Sequence, residues 1–435
     1  MMSPLHHELS SCLAGYDPEA LHVELARQAI ARLLPRVAET EALDLRAALG
    51  RVLAEDIVAP LDVPAADNAA MDGYALRGAE LDPAGETRLR VAGTSLAGAG
   101  PTGDATQDLA PGHCQRIMTG AVMPPGLDTV VPQEFTRREG EFVLIPPGLL
   151  RPGANRRLAG EDIARGRVVL RAGHRLRPAD IGLLASLGRP EVPVWRRLRV
   201  ALLSTGSELR PVGMTPLPPG GVYDSNRYTL GALLAGPEIE LRDLGVVRDE
   251  PAALRAAFAE AAAWADAAIS SGGVSVGEAD HTKAVMAELG EVLFWKIAMR
   301  PGRPLAVGRI GARGTMLFGL PGNPVAVMVS FYAFVREALR QMAGAVPAPL
   351  PMLRARSTQT LRKKPGRTEY QRGVVERRPD GPFAGEWQVT ITGNQGSGIL
   401  SSMSLANGLV VLGHEQGEVA AGDWVDVLPF EGLNG

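Results

Sequence analysis

Cysteine is nearly absent: Cys12 and Cys114 are the two in 435 residues. A disulfide framework and a Cys-x-x-Cys zinc site are both excluded. None of the seven histidines forms a His-x-x-x-His pair, so a histidine-built metal centre is not expected either. No apolar run of ~18 residues occurs, and the N-terminus lacks the apolar segment of a secretion signal. The expected location is therefore cytoplasmic. A basic excess is missing too. Forty-five Lys and Arg face 48 Asp and Glu, a formal net charge of −3, which speaks against a nucleic-acid surface. The short cluster Arg362-Lys363-Lys364 reads as a solvated turn or strand end.

What is present is globular material, 46% hydrophobic and 21% charged, in a chain long enough for two to four domains at ~100–200 residues each. Apolar spacing predicts a helix over 18–34 and a second helix-like stretch over 43–53. Residues 54–175 are rich in Gly and Pro, with short β-type runs at 88–92, 115–118, 129–133 and 141–145. A helix over 178–187 stops at Gly188. From Leu198 strands and helices alternate, which predicts a mainly parallel sheet covered by helices. Strands are expected at 199–203, 239–246, 267–270, 292–297, 305–307 and 316–320, and helices at 225–234, 251–264, 281–289 and 324–342. A proline-rich hinge at 345–351 precedes a last β-rich unit. The fold class expected is a multidomain α/β plus β chain. It has an N-terminal elongated linker unit (18–58 with 164–195), a β-rich inserted unit (59–163), a central α/β sandwich (196–345) and a β-barrel-like unit (350–432).

The stretch DAAISSGGVSVGEADHTK, 266–283, carries the most chemistry. A buried strand runs into a loop with Gly272, Gly273 and Gly277 and then into a helix. Such a loop lets backbone N–H groups approach an oxyanion, with the helix dipole assisting; the plainer alternative is a βα turn that binds nothing. The ATP-type phosphate loop is excluded, because no Gly-Lys-[Ser/Thr] follows at the required spacing. Glu278 and Asp280 beside an oxyanion call for a hard cation, magnesium by preference, although Asp280 also suits a helix cap. Glu208 and Asp249 follow the first two strands of the alternating region, and Asp224 opens a helix. Each has a capping or turn reading of its own. Acidic residues after consecutive strands nevertheless converge on one crevice at the carboxyl edge of such a sheet.

Taken together, these segments closely resemble the molybdopterin molybdenumtransferase family, the bacterial MoeA proteins and the E domain of gephyrin. The matching motifs are PLDVPAADNAAMDGYA at 60–75, RIMTGAVMP at 116–124, GEDI at 160–163, LLSTGSEL at 202–209, YDSNR at 223–227, SSGGVSVGEADHTK at 270–283, FWKIAMRPGRPLAVG at 294–308 and FGLPGNPVA at 318–326. The resemblance covers roughly residues 18 to 432. It implies insertion of molybdate into adenylylated molybdopterin, with release of AMP, in a magnesium-dependent step. It places Asp72, Glu208, Asp249 and Asp280 in an acidic cluster, with Asp162 a further member. Magnesium would lie among Glu208, Asp249, Asp280 and Asp162. Thr119 matches a cleft threonine, and Lys296, Arg300 and Arg157 match basic side chains that attract oxyanions. Gly272, Gly273, Ser275 and the turn Pro321, Gly322, Asn323, Pro324 resemble the pterin-phosphate and molybdate surroundings, with Asp224 beside them.

The resemblance also implies a homodimer whose cleft joins the α/β unit of one subunit to the β-rich unit of the other. Contacts with molybdopterin adenylyltransferase and molybdoenzyme apoproteins would follow. Arg300 and Arg303 stand where family members often carry lysine, and Ser207 where close relatives carry aspartate. Two other functions compete: a non-catalytic scaffold of the gephyrin E-domain type, and a molybdopterin adenylyltransferase, which shares the α/β unit.

Overall fold

The computed structural model describes residues 17, 20–99, 108–274 and 281–430. Ser275, Gly277, Glu278 and Asp280 lie outside the described residues, as does Cys12.

Helix α1 (Val23–Leu33) buries Ala26, Ala29, Ile30 and Leu33 at the i, i+3, i+4, i+7 spacing of one apolar stripe. The helix expected over 43–53 does not form. Strand β1 (Thr40–Asp44) instead pairs antiparallel with residues 191–195, Thr40 opposite Trp195 and Asp44 opposite Glu191. The chain then makes a single 3-10 turn (Leu45–Ala47), capped by the Asp44 carboxylate, which accepts from the Arg46 N–H at 2.8 Å. Apolar spacing in so short a stretch fits either element, and the partner strand decides.

The Gly- and Pro-rich region contains β2 (Asn68–Ala69), β3 (Gly73–Leu76), β4 (Thr87–Ser95), β5 (His113–Ile117), β6 (Thr129–Pro132), β7 (Arg137–Glu139), β8 (Phe142–Ile145) and β9 (Arg156–Arg157). Six of these make one mixed sheet in the order β6-β3-β5-β4-β8-β7, while β2 pairs with β9. The sheet packs its two faces into separate apolar clusters, one around Ile117 and Val130 and the other around Leu76 and Val143. Helix α2 (Pro178–Ser186) starts on a proline and leads into β10 (Glu191–Trp195), the partner of β1.

The alternating region follows: β11 (Leu198–Thr205), α3 (Ser225–Leu233), β12 (Ile239–Val247), α4 (Pro251–Trp264), β13 (Ala267–Ser271), α5 (His281–Leu289), β14 (Gly290–Lys296), β15 (Met299–Arg300), β16 (Pro304–Ile310) and β17 (Thr315–Leu320). The six-stranded sheet runs β12-β11-β13-β17-β16-β14. Its first four strands are parallel, whereas β16 and β14 are antiparallel additions, so the expected mainly parallel sheet carries an antiparallel edge. Strands β13 and β17 are buried along their whole length and β11 at every residue but Arg199, as expected of a sheet covered on both faces. One face packs on α1, α3 and the long C-terminal helix, the other on α4 and α5. That long helix is built from α6 (Pro324–Ser330), a π-helical turn (Phe331–Val335) and α7 (Arg336–Met342).

The last unit contains β18 (Leu353–Ser357), β19 (Thr368–Arg377), β20 (Trp387–Ile391), β21 (Gly408–Leu412) and β22 (Trp424–Pro429). Pairing runs β19-β20-β18-β22-β21 and returns to β19, closing a five-stranded barrel. Strand β15 joins its outside edge beside β19, with Arg300 opposite Glu369. The barrel is thus attached to the hairpin between β14 and β16. The solvated reading of Arg362-Lys363-Lys364 fails at its centre. Lys363 is 8% exposed and its ammonium donates to the carbonyls of Lys364, His414 and Gln416 at 3.2, 3.2 and 2.5 Å. Three carbonyl acceptors hold a buried cation that the flanking charges had made look like a surface run.

Candidate functional site

Strand β11 lies between β12 and β13, so the chain crosses to opposite sides after β11 and after β12. This is the switch point of an open α/β sheet, where a crevice opens beyond the carboxyl ends of the strands. A cavity of about 970 Å³ occupies it, lined by the loops after β11 (Thr205 to Leu209), β12 (Asp249), β13 (Ser271 to Gly273) and β17 (Pro321 to Asn323). The hairpin Met299 to Pro304 supplies another wall, and the barrel adds Arg367, Gln395, Gly396 and Ser397.

The glycines of the β13 loop are there for close approach. Gly272 has φ +93°, and a Cβ on it would lie 2.4 Å from the Thr205 carbonyl oxygen. Gly273 has φ +69°, and its Cβ would lie 2.4 Å from the Thr282 hydroxyl. Both positions need a left-handed backbone and no side chain, so the loop lies directly against the ends of β11 and α5. The Gly272 N–H donates to the Leu320 carbonyl at 3.0 Å, tying it to the β17 loop.

Charge divides by origin. The α/β loops bring two carboxylates, Glu208 and Asp249, and the hairpin and barrel bring Arg300, Arg303 and Arg367. Asp249 does not cap α4: Glu250 stands at that N-cap, and no side chain bonds the helix there. Asp249 instead accepts from the Thr282 hydroxyl at 3.4 Å, which holds it at the cavity. Among the described residues no group of three His, Cys, Asp or Glu side chains stands ready for a metal ion. Two carboxylates in one crevice fit magnesium, which takes one or two carboxylates and completes its shell with phosphate oxygens and water.

Of the residues singled out in the sequence, Glu208, Asp249, Gly272, Gly273, Arg300, Pro321, Gly322 and Asn323 line this one cavity. Pro324 begins α6 just behind it. Lys296 ends β14 outside the lining and ties down the segment just before α1 through its backbone, its carbonyl accepting from the Leu21 N–H at 3.0 Å. Asp224 does something else. It is 1% exposed, accepts from Ser204 Oγ at 3.0 Å, from Arg227 Nε at 2.8 Å and from the Arg227 N–H at 3.2 Å, and so fixes the start of α3. Ser275 and Asp280 lie outside the described residues.

A second group assembles in the β-rich region, away from the cavity lining. Backbone bonds join Gly120 N–H to the Ala69 carbonyl at 2.8 Å and Ala70 N–H to the Asn155 carbonyl at 2.9 Å, and β2 pairs Asn68 with Arg157. Asp72, Thr119 and Arg157 therefore share one loop cluster. Asp162 is on the neighbouring turn, its N–H bonded to the Val63 carbonyl at 3.1 Å. Thr119 donates its backbone N–H and its hydroxyl to Asp72 Oδ1, each at 2.7 Å. These bonds hold the Asp72 carboxyl below the usual carboxylate range.

The barrel residues were not found from the sequence. Arg372 is 1% exposed and donates to Ser402 Oγ at 3.0 Å and to the carbonyls of Gln395, Asn394 and Gly396 at 3.2, 3.3 and 2.9 Å. Burial first, and the neighbouring Arg300 second, push its pKa down to about 10, which leaves it cationic at neutral pH. It fixes the loop that presents Gln395 to Ser397, and the Ser397 carbonyl in turn accepts from the Val325 N–H at 3.1 Å, at the start of α6. Glycines at 393, 396 and 398 mark a turn in the sequence without indicating its use.

Comparison with known proteins agrees over nearly the whole length. Residues 21–188 match the model of the MoeA N-terminal region (domain I and II), 201–341 the probable molybdopterin binding domain, and 354–430 the MoeA C-terminal region (domain IV). The chain is 41% identical over 417 residues to the molybdopterin molybdenumtransferase of Haemophilus influenzae, covering 95% of this chain and 100% of that one. It is 39% identical over 398 residues to the enzyme of the same name from Nostoc sp., covering 90% and 88%. The crystal structure of the molybdopterin biosynthesis moeA protein from Pyrococcus horikoshii superimposes with a TM-score of 0.81 at 28% identity, over 94% of this chain and 100% of that one. With its three regions in the same order and 95% of its length matched at 41% identity, this chain belongs to the molybdopterin molybdenumtransferase family.

Proposed function

We propose that this protein inserts molybdate into adenylylated molybdopterin and releases AMP. The observation that carries the reading is the switch-point cavity, where two carboxylates from two strand-end loops and three arginines from the hairpin and the barrel meet a glycine loop pressed against the ends of β11 and α5. A phosphoanhydride with an oxyanion beside it needs those groups. The glycine loop and the Pro321–Asn323 turn receive the pterin-phosphate end. Arg300 and Arg303, with the buried charge of Arg372 behind Arg300, attract molybdate and the negative charge that develops on cleavage.

Glu208 and Asp249 are the residues that would hold magnesium. When bound, the ion would supply Lewis-acid polarisation of a phosphoryl oxygen. The side chains themselves orient the diphosphate: the carboxylates keep anionic oxygens off one wall unless a cation lies between, and the arginines draw them to the other. Asp280 and Ser275 belong to the same proposal by motif, as does Lys296 by its place at the root of the hairpin.

Asp72, Thr119, Arg157 and Asp162 complete the site from a second subunit in this reading. In support, they form their own loop cluster outside the cavity lining of the same chain. A homodimer, a division into units at 18–58 with 164–195, 59–163, 196–345 and 350–432, and hand-over from molybdopterin adenylyltransferase to apoenzymes belong with it. So does a cytoplasmic location; among the described residues no helix is long and apolar enough to cross a membrane. The test is AMP release from adenylylated molybdopterin by the purified protein, with and without molybdate.

A further inference from the structure

Asn226 lines the cavity from the first turn of α3, and nothing in the reading above uses it. Its side-chain nitrogen is 2.8 Å from Ser271 Oγ and 2.7 Å from the Gly322 carbonyl oxygen. A carbonyl can only accept, so the atom facing Gly322 must be the amide NH₂, and the orientation of the side chain is fixed by chemistry. The two amide hydrogens are then spent one on each loop. Ser271 ends β13 and leads into the glycine loop, and Gly322 is the centre of the turn after β17. A single side chain therefore spans the two backbone segments that form the floor of the cavity.

The anchor of that side chain is rigid. Asp224 caps α3 and is bonded to Ser204 on β11 and to Arg227, whose guanidinium also reaches Asp243. The loops, by contrast, have few bonds of their own across the gap: Gly272 N–H to the Leu320 carbonyl at 3.0 Å, and Ser271 Oγ to the Pro321 carbonyl at 3.5 Å. Gly322 comes close enough to the β13 loop that a Cβ on it would lie 3.8 Å from Gly272 Cα. That spacing sets the width of the cradle.

We infer that Asn226 is a positioning residue that fixes the separation of the Ser271–Gly273 loop and the Pro321–Asn323 turn, and thereby the affinity for the anionic substrate. The inference rests on the proposed reaction for its kinetic part alone. Because the loops hold the ligand in ground state and transition state alike, losing the tether weakens binding uniformly: KM rises and kcat holds.

The test pairs Asn226→Leu, which keeps the branched shape without charge or donors, with Asn226→Ala in case the first does not fold. Hydrogen exchange needs no substrate, and the loop amides of Gly272, Gly273, Gly322 and Asn323 should exchange ~10-fold faster or more while strands β11 and β17 keep their protection. With substrate, KM for adenylylated molybdopterin should rise ~10-fold with kcat within ~2-fold, the loss of two ordinary hydrogen bonds. In a cycle with Ser271→Ala, the second substitution should cost less in the Asn226→Leu background than alone. Unchanged loop exchange, or a fall in kcat at constant KM, overturns the inference. If the native protein releases no AMP at all, the proposed reaction fails, and the exchange measurement still decides the tether.

Discussion

Thr119 grips a single oxygen of the Asp72 carboxylate twice, through its backbone N–H and its hydroxyl, both at 2.7 Å from Oδ1. The two residues are 47 positions apart, brought together because Gly120 pairs with Ala69 and β3 pairs with β5. The grip leaves Oδ2 for another partner and keeps the carboxylate ionised in mild acid.

Thr119→Val removes the hydroxyl bond and spares the backbone one. The Asp72 carboxyl should titrate closer to its ordinary value of 3.8, since hydrogen bonds to the charged form are what lower it. Carbon-detected NMR titration of the side chain measures this directly. Turnover of Asp72→Asn should fall ~10²-fold or more if the carboxylate meets the substrate as proposed.

Arg300→Ala should raise the molybdate concentration needed for half-maximal AMP release ~10-fold or more, because a charge-assisted contact to the oxyanion is lost. Arg300→Lys should keep most of the activity. Lysine keeps the positive charge, and β15 holds the backbone in place through its pairing with β19. Steady-state kinetics with molybdate as the varied substrate separates the two outcomes.

Chelation of divalent cations should abolish AMP release, and magnesium should restore it. Glu208→Gln and Asp249→Asn should each shift the magnesium requirement upward, ~10-fold or more, as one carboxylate of a two-carboxylate site is lost. A magnesium titration of each variant checks this; no shift in either removes these residues from the metal site.

His414 stacks on His22 with ring centroids 3.7 Å apart, bridging the start of α1 to the barrel. Burial first, then His22, lowers the pKa of His414 below its ordinary 6.5. The unfolded chain therefore binds this proton more readily than the folded one. The stability contribution is present above pH 6.5 and is lost as the pH falls toward the lowered folded value. Thermal denaturation between pH 8 and 5 should show that loss, and His414→Gln should flatten the profile.

Much of this site was legible in the sequence, and the reason is local. Helices α4 and α5 begin and end where proline, alanine and glycine patterns place them, and the loops after β11 and β13 announce themselves by glycine and carboxylate at strand ends. What was not legible depends on distant pairing. Residues 43–53 carry a helix-like spacing, but Val192 and Glu191 claim Leu43 and Asp44, the first two of them, for the end of a strand. Lys363 reads as surface charge until three carbonyls from two chain segments surround it. Asp224 and Asn226 sit in one motif, yet the structure makes the first a buried helix anchor and the second a cavity residue. Arg372 has no signature, because its four acceptors are a hydroxyl and three carbonyls from a loop more than twenty residues away in sequence.

If the switch-point cavity joins molybdate insertion to phosphoanhydride cleavage, the two must be linked in one assay: AMP release from adenylylated molybdopterin by purified protein with magnesium, followed with and without molybdate. Release should rise with molybdate and saturate, together with formation of molybdenum cofactor. Release at the same rate in the absence of molybdate, or none in its presence, would contradict it.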